Sequence, residues 1–170
     1  MKFTYDHDLH IHSKLSSCSS DPKQTNEAIL AYAQKNGLKY ASRDEKYDGA
    51  ARRVSMELAS AYADGAPINS FVRTSQFLGS ALTVTDTISL TERATVQFRF
   101  LTVEKPVLLS AGRLSLPEGM ALSFDPALSF EAVKVETENY SPQGAFGTDA
   151  LWQIRLSAEI TEGNFVFIIS

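Results

Sequence analysis

From residue 54 onward, apolar and polar positions alternate with a period of two. Val54, Met56 and Leu58 share one side of such a pattern, as do Ala94, Val96, Phe98 and Phe100, and later Trp152, Ile154, Leu156, Ala158 and Ile160. This alternation predicts half-buried strands with one face on a core. Turn-forming residues punctuate it at Gly79-Ser80, Pro117-Glu118-Gly119 and Glu162-Gly163-Asn164. The expected fold is mostly β, an antiparallel β-sandwich of about eight to ten short strands.

The first part of the chain follows a different rule. Thr25 suits a helix N-cap, Glu27 falls in the first turn, and Gly37 stands where a helix ends. Ile29, Tyr32 and Ala33 lie on one face of that helix. Residues 6–13 alternate and read as a strand, so one strand and one helix are appended to the sandwich. Residues 42–53 (SRDEKYDGAARR) are polar, contain a glycine and lack an apolar period, so they read as a linker or long loop. Basic residues switch at the same place. Before Arg52 the chain carries six Lys and one Arg, and afterwards almost only Arg, with Lys105 and Lys134 the exceptions. The expected organisation is a leader at 1–41, a linker at 42–53 and a sandwich at 54–170.

One hairpin can be read in register. A two-residue turn at Gly79-Ser80, with Gly first, fits type II′. Pairing outward from it sets Leu78 against Ala81, Phe77 against Leu82, Ser75 against Val84, Arg73 against Asp86, and Phe71 against Ile88. The two charges on an otherwise largely apolar face fall opposite each other. A charge facing a core is costly unless it is paired, so a structural ion pair is expected rather than a ligand contact.

Composition then narrows the function classes. The chain has 170 residues, 44% of them apolar, and a formal charge of −4. That is enough apolar material for a packed core and no basic field for a nucleic-acid backbone. The run Phe165-Val166-Phe167-Ile168-Ile169 is too short to span a bilayer, so no membrane partner is expected. No apolar stretch follows Met1-Lys2, and a cytoplasmic location is expected for the chain as it stands. A single cysteine, Cys18, makes neither an internal disulfide nor a cysteine-built zinc site.

All three histidines, His7, His10 and His12, fall in the first twelve residues. On a strand, His10 and His12 share one face with Asp8 beside them, a partial ligand set for Zn, Mn or Fe. Hydrolytic metal sites use three or more protein ligands, so the remainder would have to be carboxylates. The stretch from Tyr5 to Leu38, with DLHIHS, SSCS, DPKQT and LAYAQKNGL, resembles the start of a PHP-domain metal-dependent phosphoesterase. The resemblance implies metal ligation by His10 and His12. Where that family carries Thr-Asp-His, this chain has Tyr40 to Glu45 with no histidine, so its phosphoesterase chemistry is expected to be incomplete.

The later phrases VSMELASAYADGAPINSFVRTSQFLGSALTVTDTISL, VQFRFLTVEKPVLLSAGRL and LWQIRLSAEI resemble the C-terminal β-sandwich of heparinase II/III-like proteins. Those are polysaccharide lyases in which an α/α-toroid precedes the β region, and they are often periplasmic or secreted. Their chemistry uses Tyr and His as base and acid, and no histidine occurs among the 158 residues after His12. The resemblance therefore implies a carbohydrate-associated module, with a polysaccharide or a separate α/α-toroid domain as partner, and no catalytic residue. No cofactor is expected beyond the candidate divalent metal. Tyr140 and Phe146, in a Ser/Pro/Gly-rich stretch, are candidate sugar contacts, whereas Trp152 lies on an alternating core face. The alternatives are a PHP-like metal-dependent phosphoesterase acting through His10 and His12, and a structural self-association or interaction domain.

Overall fold

The structure, a computed structural model, describes residues 42–62, 65–135 and 147–170, all of which fall within one compact unit, Ser42–Ser170. The N-terminal strand and helix read above lie outside the described residues.

The described residues form β1 (Arg43–Asp48), β2 (Arg53–Glu57), β3 (Ile68–Leu78), β4 (Ala81–Thr102), β5 (Leu108–Ser110), β6 (Arg113–Ser115), β7 (Ala121–Ser123), β8 (Ser129–Lys134) and β9 (Trp152–Ile169). They join in a single sheet of order β1-β2-β3-β4-β9-β7-β6-β5, with β8 also paired to β9. The pairings are antiparallel, as the alternating pattern demands. The chain is mostly antiparallel β, of the sandwich-like kind expected.

Two long strands make one sheet behave as two layers. Leu82 to Ser89 of β4 pair with residues 162–169 of β9, whereas Ala94 to Thr102 pair with Trp152 to Ile160. Between these stretches, residues 90–93 of β4 have only Thr161 opposite them on β9, while Leu90 pairs with Ile68 of β3. Such a bulge bends the strand and sharpens its twist. The halves on either side then fold toward each other. The Phe98 ring, beyond the bulge, stands 4.8 Å from that of Phe165 and 4.9 Å from that of Phe167, and Phe100 lies 5.2 Å from Phe167. Around this aromatic seam pack Ile88, Leu114, Leu122, Ile154 and Leu156, all buried.

The β3–β4 hairpin has the register read from its turn: Leu78 faces Ala81, Phe77 Leu82, Ser75 Val84, Arg73 Asp86, and Phe71 Ile88. Gly79 adopts φ +62° and Ser80 is not among the positive-φ residues, which excludes a type I′ turn and leaves the Gly-first geometry.

Two readings are corrected. Residues 42–53 are not a linker throughout, because Arg43–Asp48 form a strand paired to β2 and Arg53 opens β2 itself. A strand at the sheet edge is exposed on both faces and needs no apolar alternation; its backbone hydrogen bonds hold it. Glu162-Gly163-Asn164 is not a turn but part of the continuous β9. Gly163 is there for space: a Cβ on it would stand 2.5 Å from Cε2 of the Phe165 ring. Because that ring is buried in the core, Gly163→Ala is expected to cost about 1–3 kcal/mol in chemical denaturation, the usual effect of overpacking. A variant as stable as the parent would show that the ring moves aside freely.

Candidate functional site

Of the residues singled out in the sequence, Asp8, His10, His12, Tyr140 and Phe146 lie outside the described residues. Among the described residues, no cluster of three or more His, Cys, Asp or Glu side chains could hold a metal ion. Nor is any helix among them long and apolar enough to cross a membrane.

Arg73 and Asp86 meet across β3 and β4. Arg73 Nε donates to Asp86 Oδ1 and Nη2 donates to Oδ2, both at 2.7 Å. Asp86 has no exposed surface, while 40% of the Arg73 side chain remains exposed. The guanidinium also lies over the Phe71 ring, 5.4 Å from its centroid. The hydrogen bond to Asp86 raises the Arg73 pKa above its ordinary value against the opposing effect of burial, and the Asp86 charge adds to the rise. A carboxylate buried on every side, with both oxygens engaged by one fork, offers no face to a ligand.

Concavities formed by described residues include two with contrasting linings. One, of about 250 Å³, lies beside the β4 bulge against Tyr62, Pro67, Ile68, Phe71, Leu90 and Val96. Among the described residues its lining is mostly apolar, with Tyr62, Thr95 and Gln97 as polar members and no charged side chain. The other, of about 330 Å³, is lined by Tyr47, Arg52, Arg53, Val54, Ser75 and Phe77. It is built from the β1–β2 hairpin and the end of β3.

Local structure explains that second concavity. Tyr47 pairs with Val54 and Val54 with Ser75, which sets the three in one row across neighbouring strands. Phe77, two residues beyond Ser75, projects from the same face. The hairpin turn is held by Asp48, whose Oδ1 accepts from Ala51 N–H at 3.0 Å, a side-chain mimic of a backbone turn. Tyr47 lies against Gly49, where a Cβ would meet its hydroxyl at 3.3 Å and Cε1 at 3.4 Å. Arg52 adopts φ +47°, a left-handed conformation that costs a residue with a Cβ about 1–2 kcal/mol. Bonds to β3 hold this region: Phe77 N–H donates to the Arg52 carbonyl, and Gln76 Nε2 donates to the Ala51 carbonyl, each at 3.1 Å. The turn thus leads from Arg52 into Arg53, which stands opposite Asp48 on the face away from Tyr47 and Phe77.

The sequence reading missed these residues. Phe77 was placed on the hairpin's apolar face, yet it is 54% exposed because that face runs beyond the core at its outer end. Tyr47, Arg52 and Arg53 were passed over with the linker. The Asp-Gly pair at 48–49, a turn signal ahead of the Val54 alternation, was the available clue.

No protein-family model matches this sequence, and no curated protein does. Solved structures are informative instead. The chain is similar to the crystal structure of heparan sulfate lyase HepC from Pedobacter heparinus, with TM-score 0.54 and 16% identity, over 75% of this chain and 21% of that one. A mutant of the same lyase gives TM-score 0.53 and 15% identity over the same shares. The chain thus spans about a fifth of the lyase's length. At such identity the likeness shows a shared fold alone.

Proposed function

We propose that this chain serves as a carbohydrate-associated β module that does not itself cleave its ligand. The observation that carries the reading is the shared fold with part of a heparan sulfate lyase. Supporting it, the 158 residues after His12 contain no histidine, so the β unit lacks the imidazole that general acid–base cleavage most often uses. The role asks for no cofactor, and a metal at His10, His12 and Asp8 would be independent of it.

Affinity electrophoresis of the full chain through gels cast with heparan sulfate or alginate tests the reading. Retarded migration is expected, unchanged by His10→Ala/His12→Ala, with no unsaturated uronate formed when the chain is incubated with either polymer. Migration unaffected by both polymers removes the carbohydrate association; sustained lyase turnover removes the non-catalytic role.

A second reading, a contact surface for a toroid domain or another copy, draws on one observation. At the end of the sheet order, β5 and the residue before it expose Val107, Leu108 and Leu109 at 58%, 52% and 57%. Unpaired apolar edges invite strand addition. Light scattering that finds only monomer counts against self-association there.

A further inference from the structure

We propose that the free edge of β4 beyond its bulge accepts one extended strand from a partner polypeptide, apolar side chains turned inward. Toward β9, every residue from Ala94 to Thr102 is paired. On the other side β3 begins only at Ile68, near Leu90. There the Thr91 N–H, donating to the Pro67 carbonyl at 3.0 Å, makes the last backbone bond among the described residues. No described strand lies beside Ala94 to Thr102 on that side. The edge borders the concavity of about 250 Å³ directly, for Ala94, Thr95, Val96 and Gln97 all line it. Successive side chains of a strand point to opposite faces, so four residues in a row line one space only along the strand's edge. Across that space stand Ile68 and Phe71 of β3. A strand added to β4 therefore lies over β3 and sends its inward side chains into the concavity.

Natural proteins keep sheet edges from pairing by charge, bulges and short strands. β1 has five charges in six residues and a register break between Arg43 and Lys46, and β5 offers only three residues. The β4 edge, ATVQFRFLT, has none of these guards: one charge, Arg99, no proline and unbroken register over nine residues. It also leaves Leu101 66% exposed. The occupant's chemistry follows from the same residues. With no charged side chain in the concavity's lining, inward positions of the added strand must be apolar. On the outer face Arg99 stands opposite Arg155 of β9, a like-charge pair, and the Arg155 guanidinium already meets Glu131 at 3.4 Å. Arg99 bonds Gln97 Oε1 at 2.7 Å and has no carboxylate partner among the described residues. A carboxylate at an outward position of the added strand supplies one. A second copy does not fit: pairing two β4 edges about a two-fold axis drives the copy's β3 and β2 into the space that this chain's β3 and β2 fill. Strand addition here does not depend on the carbohydrate-associated reading.

Hydrogen exchange of the full chain, with and without the end-capped peptide TVEVTVEVT, tests the edge. The peptide is expected to slow exchange within residues 94–102 and in no other strand. By fluorescence anisotropy it should bind at least about tenfold tighter than an isomer with its valines grouped together. Val96→Lys, which sets a charge beside the concavity, should weaken binding at least about tenfold. Arg99→Glu should weaken it about threefold and favour the lysine peptide TVKVTVKVT by a similar factor. Circular dichroism verifies each fold, and if Val96→Lys unfolds, the exposed Arg99 variant decides the matter. No binding of the alternating peptide, equal binding of the grouped isomer, or slowed exchange at β5 instead overturns the proposal. Full protection of residues 94–102 before peptide is added also overturns it, and a dimer in light scattering would then name a second copy as the occupant.

Discussion

Phe167→Ala is expected to lower stability by about 4 kcal/mol, the largest single loss in the β unit. Phe167 is fully buried on β9 and touches the two aromatic rings, Phe98 and Phe100, that arrive from beyond the β4 bulge. Truncation removes the ring's transfer energy and leaves a cavity at the seam where the sheet closes on itself. Neighbouring strands are tied by backbone hydrogen bonds and cannot collapse fully into that space. The melting temperature should fall by on the order of 12 °C. Val166, one residue earlier and on the opposite face, is 40% exposed, and Val166→Ala should cost under about 1 kcal/mol. Calorimetry or urea titration of the two variants reads the contrast. Near-equal losses would mean that the two halves of β4 and β9 do not pack through this ring.

Arg73→Met is the second large effect, an expected loss of about 3 kcal/mol. The figure sits at the low end for breaking a buried pair because the arginine is 40% exposed and only Asp86 is wholly enclosed. Removing the guanidinium strands a carboxylate with no exposed surface between β3 and β9. Arg73→Met/Asp86→Leu should recover most of the loss, since apolar replacement of both partners leaves nothing charged to desolvate. A double-mutant cycle by denaturant titration gives the coupling between the two. If Arg73→Met costs less than about 1 kcal/mol, the pair behaves as an ordinary surface bridge and sets no register. Through Arg73 the pair adds pH dependence only at strongly alkaline pH. Its raised pKa means that its stabilisation is complete below the ordinary arginine value and is lost only as pH climbs past the raised one.

The strand content and the β3–β4 register were legible because they rest on short-range rules. Side chains alternate with period two, and a Gly-first two-residue turn determines which residues face each other. The polar edge strand β1 was not legible, since a strand exposed on both faces leaves no hydrophobic signature. Gly163 misled for a related reason. Glycine serves turns and close approaches alike, and only the position of the Phe165 ring distinguishes them here. The concavity at Tyr47, Arg52, Arg53 and Phe77 depended on β1 and so could not be assembled from sequence.

The local pattern by itself determined that this chain is a mostly-β protein, that Arg73 faces Asp86, and that histidine chemistry is confined to the first twelve residues. Tertiary structure alone decided that one sheet serves as both layers, because a bulge in β4 acts only through the strand it pairs with. It also decided which aromatic residues stay outside. Periodicity places a side chain on a face of its own strand, but exposure depends on whether a distant part of the chain covers that face.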